Sequence, residues 1–198
     1  MQRAAVFDMG NVVLPFDHMK PCHVLAELTG LAPDSIYKMI FTGGVEADFE
    51  TGVLAGDGFL RRCEELLGRS FCPEEFRIIW SDIFAEDDSV SRVIRDLKPS
   101  TRLILLSNTN PWHFQHVKLA FPIISEFDSY VLSYQVGALK PSCEIFKEAI
   151  KQVDGCESVV YIDDIAEYTE AAAKLGLRSH LFTNGIALRR FLEYKNFL

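Results

Sequence analysis

Four short apolar runs in this chain, Ala4–Phe7, Leu103–Leu106, Ser129–Leu132 and Val159–Ile162, show no polar alternation and are bounded by turn residues. A strand with one solvated face alternates with period two, so runs of this kind belong to parallel strands covered on both sides. Ser129–Leu132 is the weakest of them, and a fifth run, Ser179–Phe182, follows a helix ending at Lys174 to Leu177. Helical patterns lie between: Val90–Leu97, Pro111–Leu119, Cys143–Val153 and Thr169–Leu175, the last stopped by Gly176 just past the cap. Strand and helix in alternation predict an α/β fold, a doubly wound and mostly parallel sheet of Rossmann type.

From about Lys20 to Asp88 the pattern changes to helical periodicity with no strand-like run. Pro33-Asp34, Asp57 and Pro73-Glu74-Glu75 read as helix starts, the last with proline at the first helical position, and Gly43-Gly44 reads as a break. The sequence therefore predicts a discontinuous core, 1–17 and 89–198, with an all-helical subdomain, 18–88, inserted after the first strand. A chain of 198 residues with 48% hydrophobic and 24% charged content can hold both.

The net charge of −8 excludes a sequence-independent nucleic-acid binder, which needs a basic face to displace phosphate counterions. No apolar stretch is long enough for a membrane span or a signal sequence, so a cytoplasmic protein with a small-molecule partner is expected. Cys22, Cys63, Cys72, Cys143 and Cys156 are odd in number and scattered, which fits reduced thiols rather than a disulfide framework or a zinc site.

Ligands of doubly wound sheets bind outside the carboxyl ends of the strands, so the residues just past each run are the functional candidates. The first run exits on Asp8, the second on Ser107-Asn108 and the last long one on Asp163-Asp164, while Lys140-Pro141 precedes the Cys143 helix. Three neighbouring carboxylates repel one another unless a cation lies among them. Mg²⁺ suits such a place, because it takes oxygen ligands, keeps several waters and is commonly shared with a substrate phosphate. Lys140 adds a point charge for anionic groups, and Ser107 adds a donor. Aspartate is a covalent nucleophile toward phosphorus, and the Met9-Gly10-Asn11 turn after Asp8 can aim backbone N–H groups at the transferring group. Gly10 suits a backbone that a ligand approaches closely.

At these residues the chain resembles the haloacid dehalogenase superfamily. Asp8 in VFDMGNVV is similar to the first motif of that family, Ser107 in LILLSNTN to the second, Lys140 in GALKPSCEIF to the third, and Asp163-Asp164 in VVYIDDIAEYTEAAAKLG to the fourth. The order is the family's, across the whole chain, and the wording is closest to its glucose-1-phosphate phosphatase-like subgroup. The resemblance implies that 18–88 is a small helical cap. It also implies a Mg²⁺-dependent phosphomonoester hydrolase, acting on a small metabolite such as a sugar phosphate through an aspartyl-phosphate. Carried over by residue, Asp8 is nucleophile and metal ligand, the Gly10 carbonyl is a second ligand, Asp164 ligates directly, and Asp163 ligates or holds a coordinated water. Met9 and Gly10 through their N–H groups, Ser107 and Asn108 would bind phosphoryl oxygens, and Lys140 would pair with the phosphate and Asp8.

Two positions depart from the family pattern. Most phosphatases of this superfamily carry a second aspartate two residues after the nucleophile, as acid toward the leaving alcohol and base toward water, where this chain has Gly10. Asp17 and His18 are the nearby substitutes. Tyr168 stands where the fourth motif often has Asn or Asp.

Other features read more plainly. His113 and His116 have metal-ligand spacing but no third ligand nearby, and fit a packed helix face. Phe41, Phe49, Phe59, Phe76, Trp80 and Phe84 recur at helical spacing and are expected in the core of the insert. Glu86-Asp87-Asp88 reads as a solvated hinge and Arg61-Arg62 as solvated charge. A metal-independent 2-haloacid dehalogenase also lacks the second aspartate, but such members lose the acidic pair that this chain keeps at Asp163-Asp164. Phospho-acceptor receiver domains place their acidic pair first in the chain, which excludes them. A phosphate-binding family member with weak catalysis stays open because of Gly10.

Overall fold

The computed structural model describes residues 2–198. Five strands, β1 (Arg3–Phe7), β2 (Thr101–Ser107), β3 (Ser129–Leu132), β4 (Ser158–Asp163) and β5 (Arg178–Leu181), form one sheet in the order β3-β2-β1-β4-β5, with every pairing parallel. β1 is central, and its side chains divide with period two. Ala5 and Phe7 pack into one layer and Ala4 and Val6 into the other. That is why the run is apolar throughout.

Among the described residues eleven α-helices follow in chain order. In the insert these are α1 (Met19–Thr29), α2 (Pro33–Tyr37), α3 (Val45–Glu50), α4 (Gly56–Leu67) and α5 (Pro73–Ser81), with a π-helical turn at Lys38–Thr42 after α2. In the sheet domain they are α6 (Asp88–Leu97), α7 (Pro111–Ala120), α8 (Ser133–Val136), α9 (Cys143–Gln152), α10 (Ala166–Lys174) and α11 (Gly185–Tyr194). α6, α7 and α11 cover the Phe7 side of the sheet, and α9 and α10 cover the Val6 side. Helix α11, a closing element with no counterpart among the sequence expectations, buries Leu188 and Leu192 against the same layer as α6.

Helices α1 to α5 build a separate apolar cluster around Phe49, Phe59, Phe76 and Trp80. Stacked and edge-on rings connect them, Phe49 to Phe59 at 4.4 Å and Phe59 to Trp80 at 4.7 Å, each pair contributing ~0.5–1.5 kcal/mol beyond its buried area. Phe84 departs from the expectation: it packs against the sheet layer, not the insert cluster. The reverse holds for Trp112 of α7, which inserts among Phe49, Phe59 and Phe76. A Cβ at Gly56 would lie 2.7 Å from the Trp112 indole nitrogen, so glycine there lets the insert seat on α7.

Glu86-Asp87-Asp88 is a helix start rather than a free hinge. Asp87 caps α6, its carboxylate accepting from the N–H groups of Ser89 at 2.8 Å and Val90 at 3.4 Å, and Glu86 accepts from the Ser91 hydroxyl. All five cysteines are free, and no helix among the described residues is long and apolar enough to cross a membrane.

Candidate active site

Parallel register brings the strand ends to one level. Phe7 pairs with Leu105 and with Ile162, so Asp8 emerges level with the last residues of β2 and β4, its N–H donating to the Ile162 carbonyl at 2.9 Å. Lys140 enters the same rim from the segment between α8 and α9. Its ammonium lies 2.7 Å from Asp8 Oδ1 and 2.7 Å from Asp163 Oδ2, and all three side chains are buried. Asn108 fixes the lysine's main chain: its amide oxygen accepts from the Lys140 N–H at 2.7 Å and its amide nitrogen donates to the Lys140 carbonyl at 3.1 Å. The ring of Tyr168 stacks beneath the ammonium, 5.0 Å from its centre.

Asp163 is fully enclosed and hydrogen-bonded through both oxygens. It accepts from Lys140, from the Tyr161 hydroxyl and from the Ile165 N–H at 2.8 Å. Tyr161 and Asp163 are two apart on β4 and share a face, so the pair was readable in the sequence once Asp163 is placed on the strand rather than beyond it. Asp164 turns the other way and lines the cavity with Asp8, Ser107, Asn108 and Lys140.

Electrostatics make this rim unusual. Burial, with the nearby Asp163 and Asp164 charges, pushes the Asp8 carboxyl up to about 7 despite the pull of Lys140. Burial and Asp163 also raise Asp164. For Lys140 burial works against the charge, but Asp8 and Asp163 outweigh it and hold the ammonium protonated. One oxygen from each of Asp8, Asp163 and Asp164 lies within 4.8 Å of the others, three carboxylates against one ammonium. This all-oxygen, under-compensated set fits a hard divalent cation. Asp8 and Asp164 line the cavity, while Asp163 lies behind them with both oxygens hydrogen-bonded. The Gly10 carbonyl accepts no backbone hydrogen bond among the described residues, whereas that of Met9 accepts from Val13 and Leu14.

The turn after Asp8 differs from expectation in its cause. Asn11, not Gly10, takes the left-handed conformation, with φ 55°. Gly10 is small because of a neighbour: a Cβ there would sit 2.6 Å from Cε1 of Phe16. Phe16, His18, Ile83 and Phe84 wall the cavity near this turn, and Glu46 and Glu50 of α3 face it from the insert. The cavity holds about 210 Å³.

Of the substitutes proposed for a second aspartate, Asp17 instead accepts from the Met19 N–H at the start of α1, at 2.8 Å, and does not line the cavity. His18 does line it, stacked on Phe41 at 4.4 Å, and burial lowers its pKa to about 4. His113 is buried, with Nδ1 against the Asn110 amide at 2.9 Å and Nε2 against the Trp80 carbonyl at 3.0 Å, and burial lowers it to about 3. It forms no metal site with His116. Arg62 pairs with Glu65 on the surface, and neither it nor Arg61 reaches the cavity. Glu46, Glu50, Phe16 and Tyr161 are site residues the sequence did not reveal. The two glutamates stand one turn apart on a six-residue helix, a signal indistinguishable from solvated charge until the fold turns that face inward.

An all-parallel sheet of this strand order, with an aspartate, a lysine and an acidic pair at its carboxyl edge, defines a hydrolase class built on a strand-end carboxylate. Residues 2–176 match the model of the haloacid dehalogenase-like hydrolases, and the chain belongs to that family. A D-ribitol-5-phosphate phosphatase of Bacteroides thetaiotaomicron is 29% identical over 97% of both chains. A protein of Porphyromonas gingivalis described as a predicted HAD-like family hydrolase superposes with a TM-score of 0.80 at 27% identity, covering 97% of this chain and 98% of its own. The B. thetaiotaomicron HAD family enzyme bt-2542, in complex with magnesium and inorganic phosphate, shares the fold with a TM-score of 0.79 at 22% identity, covering 92% and 95%.

Proposed function

We propose that the protein is a Mg²⁺-dependent phosphatase that hydrolyses a phosphorylated sugar or polyol through an aspartyl-phosphate on Asp8. The observation that carries this reading is the Asp8–Lys140 contact of 2.7 Å at the floor of a cavity that Asp164 also lines. The ribitol-phosphate phosphatase and the magnesium and phosphate bound by bt-2542 support it by likeness. Residues 18–88 act as the cap and 1–17 with 89–198 as the core.

Asp8 and Asp164, with the Gly10 carbonyl, would hold the ion, while Asp163 beside them holds Lys140. When bound, the ion neutralises charge on the phosphoryl oxygens. The Asp8 carboxylate attacks phosphorus, and Lys140 with Ser107 and the N–H groups of Met9, Gly10 and Asn108 hold the equatorial oxygens. The Asn108 side chain is committed to Lys140, so its share is the main chain. Cavity polarity on the insert side, from His18, Glu46 and Glu50, suits a hydroxylated substrate.

Phosphate release from a panel of sugar and polyol phosphates, with Mg²⁺ and with EDTA, tests the reading. Release is expected only with the metal and is abolished in Asp8→Asn. Wild-type release no greater than that of Asp8→Asn, or halide release from 2-haloacids without metal, overturns it.

A further inference from the structure

Gly10 leaves the usual place for a second acid empty, and the place itself is filled: the ring of Phe16 lies where a side chain at position 10 would project. The cavity must therefore take its proton-transfer group from elsewhere. Its other titratable walls are few. The two nitrogens of His113 are engaged by Asn110 and Trp80, and Tyr168 stacks on Lys140. His18 is held neutral by burial and has no proton to spare for a leaving group.

Glu46 and Glu50 remain, four residues apart and so on one side of α3. Neither carboxylate accepts a hydrogen bond from a described residue. Glu46 Oε1 is sealed, with the neutral His18 ring beside it, Nε2 at 3.6 Å. Glu50 ends α3 and lines the same cavity as Asp8 and Lys140, whose charges act on it. Burial, offset in part by Lys140, pushes it up to about 7, where one group can give and take a proton near neutrality.

We propose that the Glu50 carboxyl, reaching in from the insert, protonates the leaving alcohol and then deprotonates the hydrolytic water, in place of the acid that Gly10 omits. This rests on the phosphatase reading above. In the first half-reaction an Asp8 oxygen bonds to phosphorus, the ester P–O bond breaks, and the Glu50 proton passes to the departing oxygen, giving the free alcohol. In the second, Glu50 takes a proton from water as the water oxygen bonds to phosphorus. The P–O bond to Asp8 then breaks, so inorganic phosphate leaves with Asp8 ionised and Glu50 protonated again.

The test compares wild type and Glu50→Gln on an alkyl phosphate and on p-nitrophenyl phosphate, whose leaving group needs no proton. Alkyl ester turnover is expected to fall ~10²–10⁴-fold in the variant. With p-nitrophenyl phosphate the variant should release one nitrophenolate per enzyme in a burst and then turn over slowly. Acid-quenched protein should carry phosphate on Asp8 by mass spectrometry. Equal loss on both esters without a burst, a change in KM alone, or no change overturns the assignment to Glu50. Absence of phosphate release from either ester by wild type overturns the phosphatase reading and this inference with it.

Discussion

Lys140→Met tests whether the ammonium is what allows three carboxylates to share the rim. The side chain is buried and contacts Asp8 and Asp163 at 2.7 Å each. Methionine keeps much of the volume and removes the charge. Breaking a buried pair by deleting one partner costs ~3–5 kcal/mol, because the remaining charge is left uncompensated. Two features pull toward the low end of that range. Asp163 keeps the Tyr161 hydroxyl and the Ile165 N–H, and Asp8, already raised to about 7, goes higher without the lysine and takes up a proton. A loss of ~3 kcal/mol in a domain of this size lowers Tm by roughly 6–12 °C. The native state of the variant binds a proton on Asp8 that the unfolded chain releases, so its deficit should widen as pH rises, for example from about 6 to about 8.5. Thermal melts in EDTA at both pH values measure this. A second Asp8→Asn change should narrow the deficit, and Mg²⁺ should stabilise the variant more than wild type. A Tm within about 1 °C of wild type at both pH values would refute the argument, since the cost of an uncompensated buried charge is several times larger.

Gly10→Ala should cost ~1–3 kcal/mol in denaturant unfolding through its clash with Phe16, and most of that cost should vanish in a Phe16→Ala background. An equal cost in both backgrounds would place the constraint elsewhere. Glu50→Gln should be more stable than wild type at and above neutral pH in EDTA. Its folded pKa of about 7 lies above the ordinary glutamate value of 4.5, so the native state binds the extra proton and wild-type stability falls as pH rises through that window. The advantage should disappear by about pH 4.5, and a constant difference across the range would show that burial does not penalise the ionised Glu50.

The sheet was legible because buried parallel strands announce themselves as unbroken apolar runs, and because strand ends in such a sheet share one edge. Asp8, Ser107, Lys140 and Asp164 could therefore be brought together from the sequence, though Lys140 and Asp8 are far apart along the chain. Asp163, the last residue of β4, joins them there, buried against Lys140 and Tyr161 rather than lining the cavity as Asp164 does. The insert resisted reading. Helix starts at Pro33 and Pro73 follow from proline at the first turn, yet which face of α3 meets the cavity depends on how Trp112 seats among the insert's aromatic rings. No local pattern encodes that docking. The role of Gly10 was similarly hidden, being set by a ring six residues on.

The placement of β1 at the centre of the sheet has a consequence for how the chain is made. The strand that ends at Asp8 precedes the other strands, but its two neighbours come late, β2 only after the whole insert and α6, and β4 only after α7, β3, α8 and α9 as well. Loop-closure entropy must be met before either pairing gains anything, while the insert can collect its mostly local contacts early. On the ribosome the cap is thus expected to form before the sheet it covers. Asp8 gains its acidic neighbours Asp163 and Asp164 only with β4, so the three-carboxylate cluster is among the last features of the sheet edge to be completed.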